Sequence, residues 1–305
     1  MIKPKIVLSR CFSEQVRHNG SIIKDAFIEK LKNFVDYISL CPEMDIGLGC
    51  PRPSLIIIKD NDSKKLFQPE TNRDLTTLMT NYCIKTLKNL TDVDGFILKS
   101  KSPSCGVASA NIYKNKNSIG KTDGFFANYI KEFFPNFPIE DEGRLKDDAI
   151  RNHFLTRIYA YADFKELSKV LSINGLIEFH SKYKYLLMTY SPKHLKELGS
   201  IVANSNLKLK EKFSKYKELF FLAFIKKPSI KRHINTLMHI IGYITNKLNQ
   251  AEKNHFFELI KKYEKGAIEL RIIIELIKSF SLRFKNEYVL MQKYLEPYPE
   301  ELLFF

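Results

Sequence analysis

No long apolar run occurs anywhere in the 305 residues. The longest unbroken one, Leu219 to Ile225, falls far short of the ~20 residues that a spanning helix needs, so no membrane partner is expected. The opening MIKPKIVLSR has neither an extended apolar core nor a cleavage site, which excludes a signal peptide. Cys-x-x-Cys, repeat periods and low-complexity tracts are also missing. Five cysteines without a secretory signal point to a reducing, cytoplasmic setting, where metal binding or catalysis is commoner than disulfides. Acidic residues are scarce relative to basic ones: 34 Asp+Glu against 49 Lys+Arg, a formal charge of +15.

What is present is a folded chain. Its hydrophobic fraction of 44% excludes wholesale disorder, and its length suits about two domains. The charge is local. Residues 181–233 hold 13 basic and 3 acidic groups, while the remainder of 141–305 balances 16 against 16. A concentrated positive field favours a polyanion as partner, through phosphate contacts and counterion release.

Over residues 1–140, β-rich runs alternate with helical patterns. Strands are expected at Lys5–Ser9, Phe34–Leu40, Leu55–Lys59 and Gly95–Lys99, and helices at Asp25–Phe34 and Asp74–Leu90. Alternation of this kind predicts an α/β domain, Rossmann-like, with a mainly parallel sheet. Pro135, Pro138 and the acidic stretch 140–148 read as a junction. An all-α domain is expected over 141–305. Ser191-Pro192 reads as a helix start, Asn249 with Glu252 as a capping box, and Gly266 as a helix stop.

Three cysteines share one context. Cys11, Cys41 and Cys105 each follow an expected strand, so a parallel sheet brings them to its ligand-binding edge although they lie 30 and 64 residues apart. Three such thiolates suit an iron–sulfur cluster with one open iron, or a catalytic zinc with a water. Buried free cysteines acting as small hydrophobes are the plain alternative. Cys83 sits in a helical pattern and reads as core; Cys50 is a fourth ligand or a bystander. Glu43, two residues from Cys41, is placed for acid or base work, or caps a helix. Ser102 and Ser104 beside Cys105 supply hydroxyls, or simply make a turn. In the helical half, His180, Lys182, Lys184 and Tyr185 fall on neighbouring turns, offering phosphate contacts and a stacking ring, with Lys208 and Lys210 opening a basic helix. A solvated lysine face over core aromatics explains the same residues.

These stretches together resemble a known pairing. Ser9-Arg10-Cys11, Cys41-Pro42-Glu43, Gly49-Cys50-Pro51-Arg52-Pro53, Ser102-Pro103-Ser104-Cys105-Gly106 and Phe179-His180-Ser181-Lys182-Tyr183-Lys184-Tyr185 are similar to the thiouracil desulfidase family joined to a YbgA-like helical domain. The resemblance implies a 4Fe–4S cluster held by Cys11, Cys41 and Cys105, with its fourth iron open to a thiocarbonyl sulfur. It implies Glu43 as acid/base residue, assisted by Ser102 or Ser104. The substrate class it implies is thiolated tRNA, 4-thiouridine becoming uridine with release of sulfide, and the helical domain would bind the RNA. A monomer is expected. Departures from the family pattern are Phe12-Ser13-Glu14 after the first cysteine, Asn19 before Gly20, and Cys50 where Thr is usual. A desulfidase of free thiouracil bases, and a non-catalytic iron–sulfur RNA-binding protein, are the other readings.

Overall fold

The computed structural model describes residues 2–61 and 63–303. Two compact units divide the chain between Ala162 and Asp163, and Pro299 onward returns to the first.

In the first unit, β1 (Lys5–Ser9) leads through α1 (Ala26–Leu31) to β2 (Asp36–Leu40) and α2 (Pro42–Asp45). Asp25 caps α1 by accepting from the Ile28 N–H. There follow β3 (Ile56–Asp60), β4 (Ser63–Gln68), β5 (Arg73–Asp74), α3 (Thr76–Asn89) and β6 (Gly95–Leu98). Then come β7 (Ala110–Lys114), β8 (Asn117–Thr122), α4 (Phe125–Phe133), β9 (Ile139–Asp141) and α5 (Asp148–Leu167), whose last residues pass into the second unit.

Strands β2-β1-β6-β9 form one sheet, in that order and parallel throughout. Strands β1 and β6 are apolar runs buried on both faces, as parallel strands require. The expected strand at 55–59 exists, but it belongs elsewhere. It is β3, part of a second sheet ordered β5-β4-β3-β7-β8, pairing antiparallel with β4 and parallel with β7. The second sheet is built from hairpins. Between β7 and β8 the two-residue turn Asn115-Lys116 places both residues at positive φ, the twist a tight hairpin needs. One core joins the sheets to α3 and α4, and Cys83 sits fully buried inside it.

The stretch read as a junction holds the end of β9, so Glu142 is buried within the first unit.

The second unit is helical: α6 (Ile173–Tyr190), α7 (Pro192–Ala203), α8 (Leu209–Ala223), α9 (Ile230–Ile241), α10 (Gln250–Glu264), α11 (Leu270–Arg283) and α12 (Glu287–Leu290). Its signals are those expected. Ser191 caps α7, Asn249 and Glu252 make a reciprocal capping box on α10, and Gly266 takes φ +71° just past that helix. Phe164, Phe179, Tyr183, Tyr216 and Phe220 form an aromatic core. Among the described residues no helix is long and apolar enough to cross a membrane.

Candidate active site

Register alone places the site. Ser9 pairs with Leu40, Leu8 with Ile97, and Leu98 with Asp141, so the C-terminal ends of the four parallel strands are level. Cys11 lies in a short turn after β1, Cys41 is the residue preceding α2, and Cys105 sits in the loop after β6. All three line one cavity of about 340 Å³. Cys11 and Cys105 are only 8% and 6% exposed, Cys41 is half-buried, and all are free.

Burial pushes the Cys11 thiol up to about 12, with Cys41 adding to the effect. Burial, then Cys41 and Cys11, raises Cys105 well above an ordinary thiol, and burial raises Cys41. Each of these thiols therefore lies within electrostatic reach of at least one other. Soft ligands of this kind give up their protons when they take a metal. Three soft thiol donors lining one cavity fit an iron–sulfur cluster, whose thiolates ligate separate irons.

Glu43 stands over this trio on α2. Its Oε2 accepts from Arg52 twice, from Nε at 2.8 Å and from a terminal nitrogen at 2.7 Å. Its Oε1 accepts from the Ser104 hydroxyl at 2.9 Å, and the Ser102 hydroxyl stands 3.4 Å away. Arg52 is buried and also donates to the carbonyls of Val16 and Gly49. The two serines differ. Ser102 lines the cavity; its oxygen accepts from the N–H groups of Ser104 and Cys105, and its hydroxyl donates to Glu43 Oε1 through a long bond of 3.4 Å. Ser104 is fully buried and reaches Glu43 from behind.

Two further features fix the loop that carries Cys105. Glu142 accepts from Lys99 Nζ, the Ser100 N–H and the Ser100 hydroxyl, each at 2.6 Å. The first turn of α4 donates to the loop, Phe125 N–H to the Pro103 carbonyl at 3.0 Å and Phe126 N–H to that of Ser104 at 2.8 Å. Gly124 permits this approach, because a Cβ there would lie 2.5 Å from the carbonyl carbon of Ser104. Arg52, Lys99 and Glu142 lie in stretches that the sequence marks without giving these residues a role, and Gly124 lies in none.

With this geometry established, comparison with known proteins is informative. Residues 6–142 match the 2-thiouracil desulfurase family, and residues 184–299 match a family described as a protein of unknown function, DUF1722. The chain joins a 2-thiouracil desulfurase domain to a DUF1722 domain. The Escherichia coli (strain K12) protein YbgA, described as uncharacterized, is 25% identical over 148 residues, or 48% of this chain and 88% of its own. A solved structure of the 4Fe–4S-dependent thiouracil desulfidase TudS shares 24% identity, over 48% of this chain and 95% of its own, with a TM-score of 0.39.

Cys50 does not line this cavity; its thiol points at the carbonyls of Gln15 and Arg17, 3.1 Å from each. In the helical unit, His180 meets the Tyr216 hydroxyl at 3.0 Å, and Lys182 pairs with Glu178. Both residues precede the stretch matched to DUF1722. Lys184 lies 5.3 Å above the ring of Tyr185. Tyr185 is 2% exposed and packs edge-on against Tyr243 and Tyr288, so it has no free face for a base. That expectation is corrected for a physical reason: α6 packs against α7, α8 and α9 and is buried on more than one side. Lys208 and Lys210 are exposed at the start of α8, whereas Lys212 is buried and caps α7 through the Val202 carbonyl at 2.7 Å.

Proposed function

We propose that the desulfurase domain holds a 4Fe–4S cluster on Cys11, Cys41 and Cys105 and removes sulfur from a thiolated uracil ring, with thiouridine in tRNA as substrate class. The observation that carries the reading is the convergence on one cavity of three thiols, two buried and one half-buried, with Glu43 and Ser102, and with Ser104 bonded to Glu43 behind them. Membership of the 2-thiouracil desulfurase family supports the same chemistry. The net change is hydrolytic: a C=S bond and water become C=O and hydrogen sulfide, with no electron gained or lost.

An iron without a protein ligand would supply a soft Lewis acid for the thiocarbonyl sulfur, leaving the ring carbon electrophilic. The chain's own residues manage the protons. Glu43 Oε1 takes a proton from the attacking water, since Oε2 is occupied by Arg52. Arg52 fixes the carboxylate plane, and Ser104 orients Oε1 from the buried side. Ser102, whose oxygen is held by two N–H groups and whose long 3.4 Å bond to Glu43 can be exchanged for one to substrate, donates to the ring or to the adduct's oxygen. The basic DUF1722 unit contributes RNA affinity through its surplus of lysines over 181–233.

The family's name favours a second reading, in which the substrate is a free thiouracil base. One experiment separates them. Protein prepared without oxygen is incubated with thiolated tRNA and, separately, with 2-thiouracil; nucleosides and sulfide are then quantified. Selective loss of 4-thiouridine from tRNA supports the proposal. Turnover of the free base with tRNA untouched supports the second reading, and tRNA binding without sulfide release from either substrate defeats both.

A further inference from the structure

Helix α2 carries a second carboxylate, Asp45, which the proposed reaction does not use. Both of its oxygens are taken: Oδ1 accepts from a terminal nitrogen of Arg10 at 2.9 Å, and Oδ2 from the Tyr82 hydroxyl at 2.7 Å. Arg10 immediately precedes Cys11, and Asp45 ends the one-turn helix that Cys41 opens. The ion pair spans 35 residues of sequence and joins the turn after β1 to the helix after β2. Tyr82 arrives from a third direction, on α3, with its ring 6.1 Å from that of Phe126. Phe126 is the α4 residue whose N–H holds the Ser104 carbonyl in the Cys105 loop.

Local sequence does not hold α2 in place. It spans only Pro42–Asp45, far below the roughly 12–15 residues at which an isolated helix becomes stable, and Cys41 gives it no side-chain cap. Its two carboxylates anchor it instead, each to one arginine and a hydroxyl: Glu43 to Arg52 and Ser104, Asp45 to Arg10 and Tyr82. The Arg10 and Asp45 side chains are 23% and 22% exposed, so their pair is better shielded than the open surface pairs that contribute little. Arg10 lines the cavity, whereas Asp45 and Tyr82 do not, so these two act through Arg10 and α2 and not on substrate. Burial raises the Cys41 thiol, and Arg10 is among the cations that oppose the rise. The Arg10 charge thus reaches a candidate ligand as well as Asp45.

We propose that Arg10, Asp45 and Tyr82 form a clasp that sets the spacing of the Cys11 turn and the Cys41 helix and, through the Asp45-paired guanidinium, the charge felt at the thiols. All three are positioning residues, and the proposal rests on the thiols' being ligands of an iron–sulfur cluster. Partners outside the ligands orient them and tune the metal, and net charge is one of the levers on a cluster's potential. The three members differ in what they contribute. Arg10 brings a cation, Asp45 offsets it, and Tyr82 brings a hydroxyl without charge.

The test uses the full chain prepared without oxygen, and reads the rate of iron loss to a chelator and the reduction potential of the cluster. Tyr82→Phe keeps the ring against Phe126 and every charge; it is expected to speed iron loss roughly tenfold and to leave the potential unchanged. Arg10→Gln removes a cation beside the thiols and should lower the potential, whereas Asp45→Asn removes the anion that offsets Arg10 and should raise it. Arg10→Lys keeps the charge without the guanidinium's reach, so the potential should return to the wild-type value while iron retention does not. A merely structural ion pair would weaken resistance to urea in every variant and leave the potential unmoved, which overturns the clasp. Shifts of the same sign in Arg10→Gln and Asp45→Asn, or wild-type iron retention by Tyr82→Phe, overturn it too. A wild type that holds no iron defeats the cluster reading separately. Alkylation of Cys41 in that iron-free chain, mapped by mass spectrometry, then decides the clasp: faster labelling in Tyr82→Phe and Asp45→Asn supports it, and unchanged labelling overturns it.

Discussion

Arg52 commits both of its donors near Glu43 to the same oxygen, Oε2, at 2.8 and 2.7 Å, and so leaves Oε1 to the serines and the cavity. A lysine has one point charge and cannot reproduce that fork. Arg52→Lys is therefore expected to retain iron and fold but to lower sulfide release by about tenfold or more, because the carboxylate plane is no longer fixed. Glu43→Gln should lose roughly 10²–10⁴-fold in turnover with iron content unchanged. Undiminished turnover in Glu43→Gln removes Glu43 from the reaction.

Ser102 and Ser104 are expected to behave differently. Ser102→Ala takes a donor from the cavity wall and also strips the Ser104 and Cys105 N–H groups of their acceptor, so both turnover and iron retention should fall. Ser104→Ala should leave the iron in place and reduce turnover alone, since its hydroxyl reaches only Glu43. Identical profiles for the two variants, by iron analysis and sulfide assay, would contradict the division of roles.

Gly124→Ala tests how the cysteine loop is held. A methyl group 2.5 Å from the Ser104 carbonyl carbon must push α4 away from the loop or distort it. The expected cost is about 3 kcal/mol of stability by urea unfolding, with loss of iron. A variant as stable and as iron-rich as the wild type would show that α4 does not hold the loop.

The helical unit should be acid-sensitive. Burial lowers His233 to about 4, and burial followed by Lys184 lowers His180. Both favour the neutral ring in the folded state, so the unfolded chain binds more protons below about pH 6.5, and for His233 this holds down to about pH 4. The His233 contribution is complete above pH 6.5 and is lost as pH falls toward 4, by up to tenfold in the unfolding constant per pH unit, and His180 acts in the same direction. Urea unfolding at pH 7.5 and 5.5 checks this. His233→Gln should flatten the dependence, and an equally steep one in that variant would assign it to other groups.

The parallel sheet was legible because its central strands are buried on both faces and therefore read as unbroken apolar runs; Lys5–Ser9 was read to the residue. The meeting of Cys11, Cys41 and Cys105 followed from strand polarity alone. Strand β9 was hidden because it has three residues and sits among prolines and acids that resemble a linker. The second sheet was hidden because β4 and β8 are mostly exposed and polar, with turns set by Asn and Lys at positive φ. Lys99 and Glu142 lie 43 residues apart and meet only because β6 and β9 are neighbours, which no local pattern encodes. Tyr185 misled because alternating Lys and Tyr on a helix look like an exposed face, whereas the packing around α6 buries it.

The most direct measurement is iron and acid-labile sulfide content, together with turnover, for five single Cys→Ser variants prepared without oxygen. Cys11→Ser, Cys41→Ser and Cys105→Ser are expected to lose both the cluster and sulfide release. Cys50→Ser and Cys83→Ser should keep them, since one thiol points away from the cavity and the other is sealed in the core. Full turnover by iron-free wild-type protein, or a cluster lost in Cys50→Ser but kept in Cys41→Ser, would contradict a three-thiol site built from the ends of β1, β2 and β6.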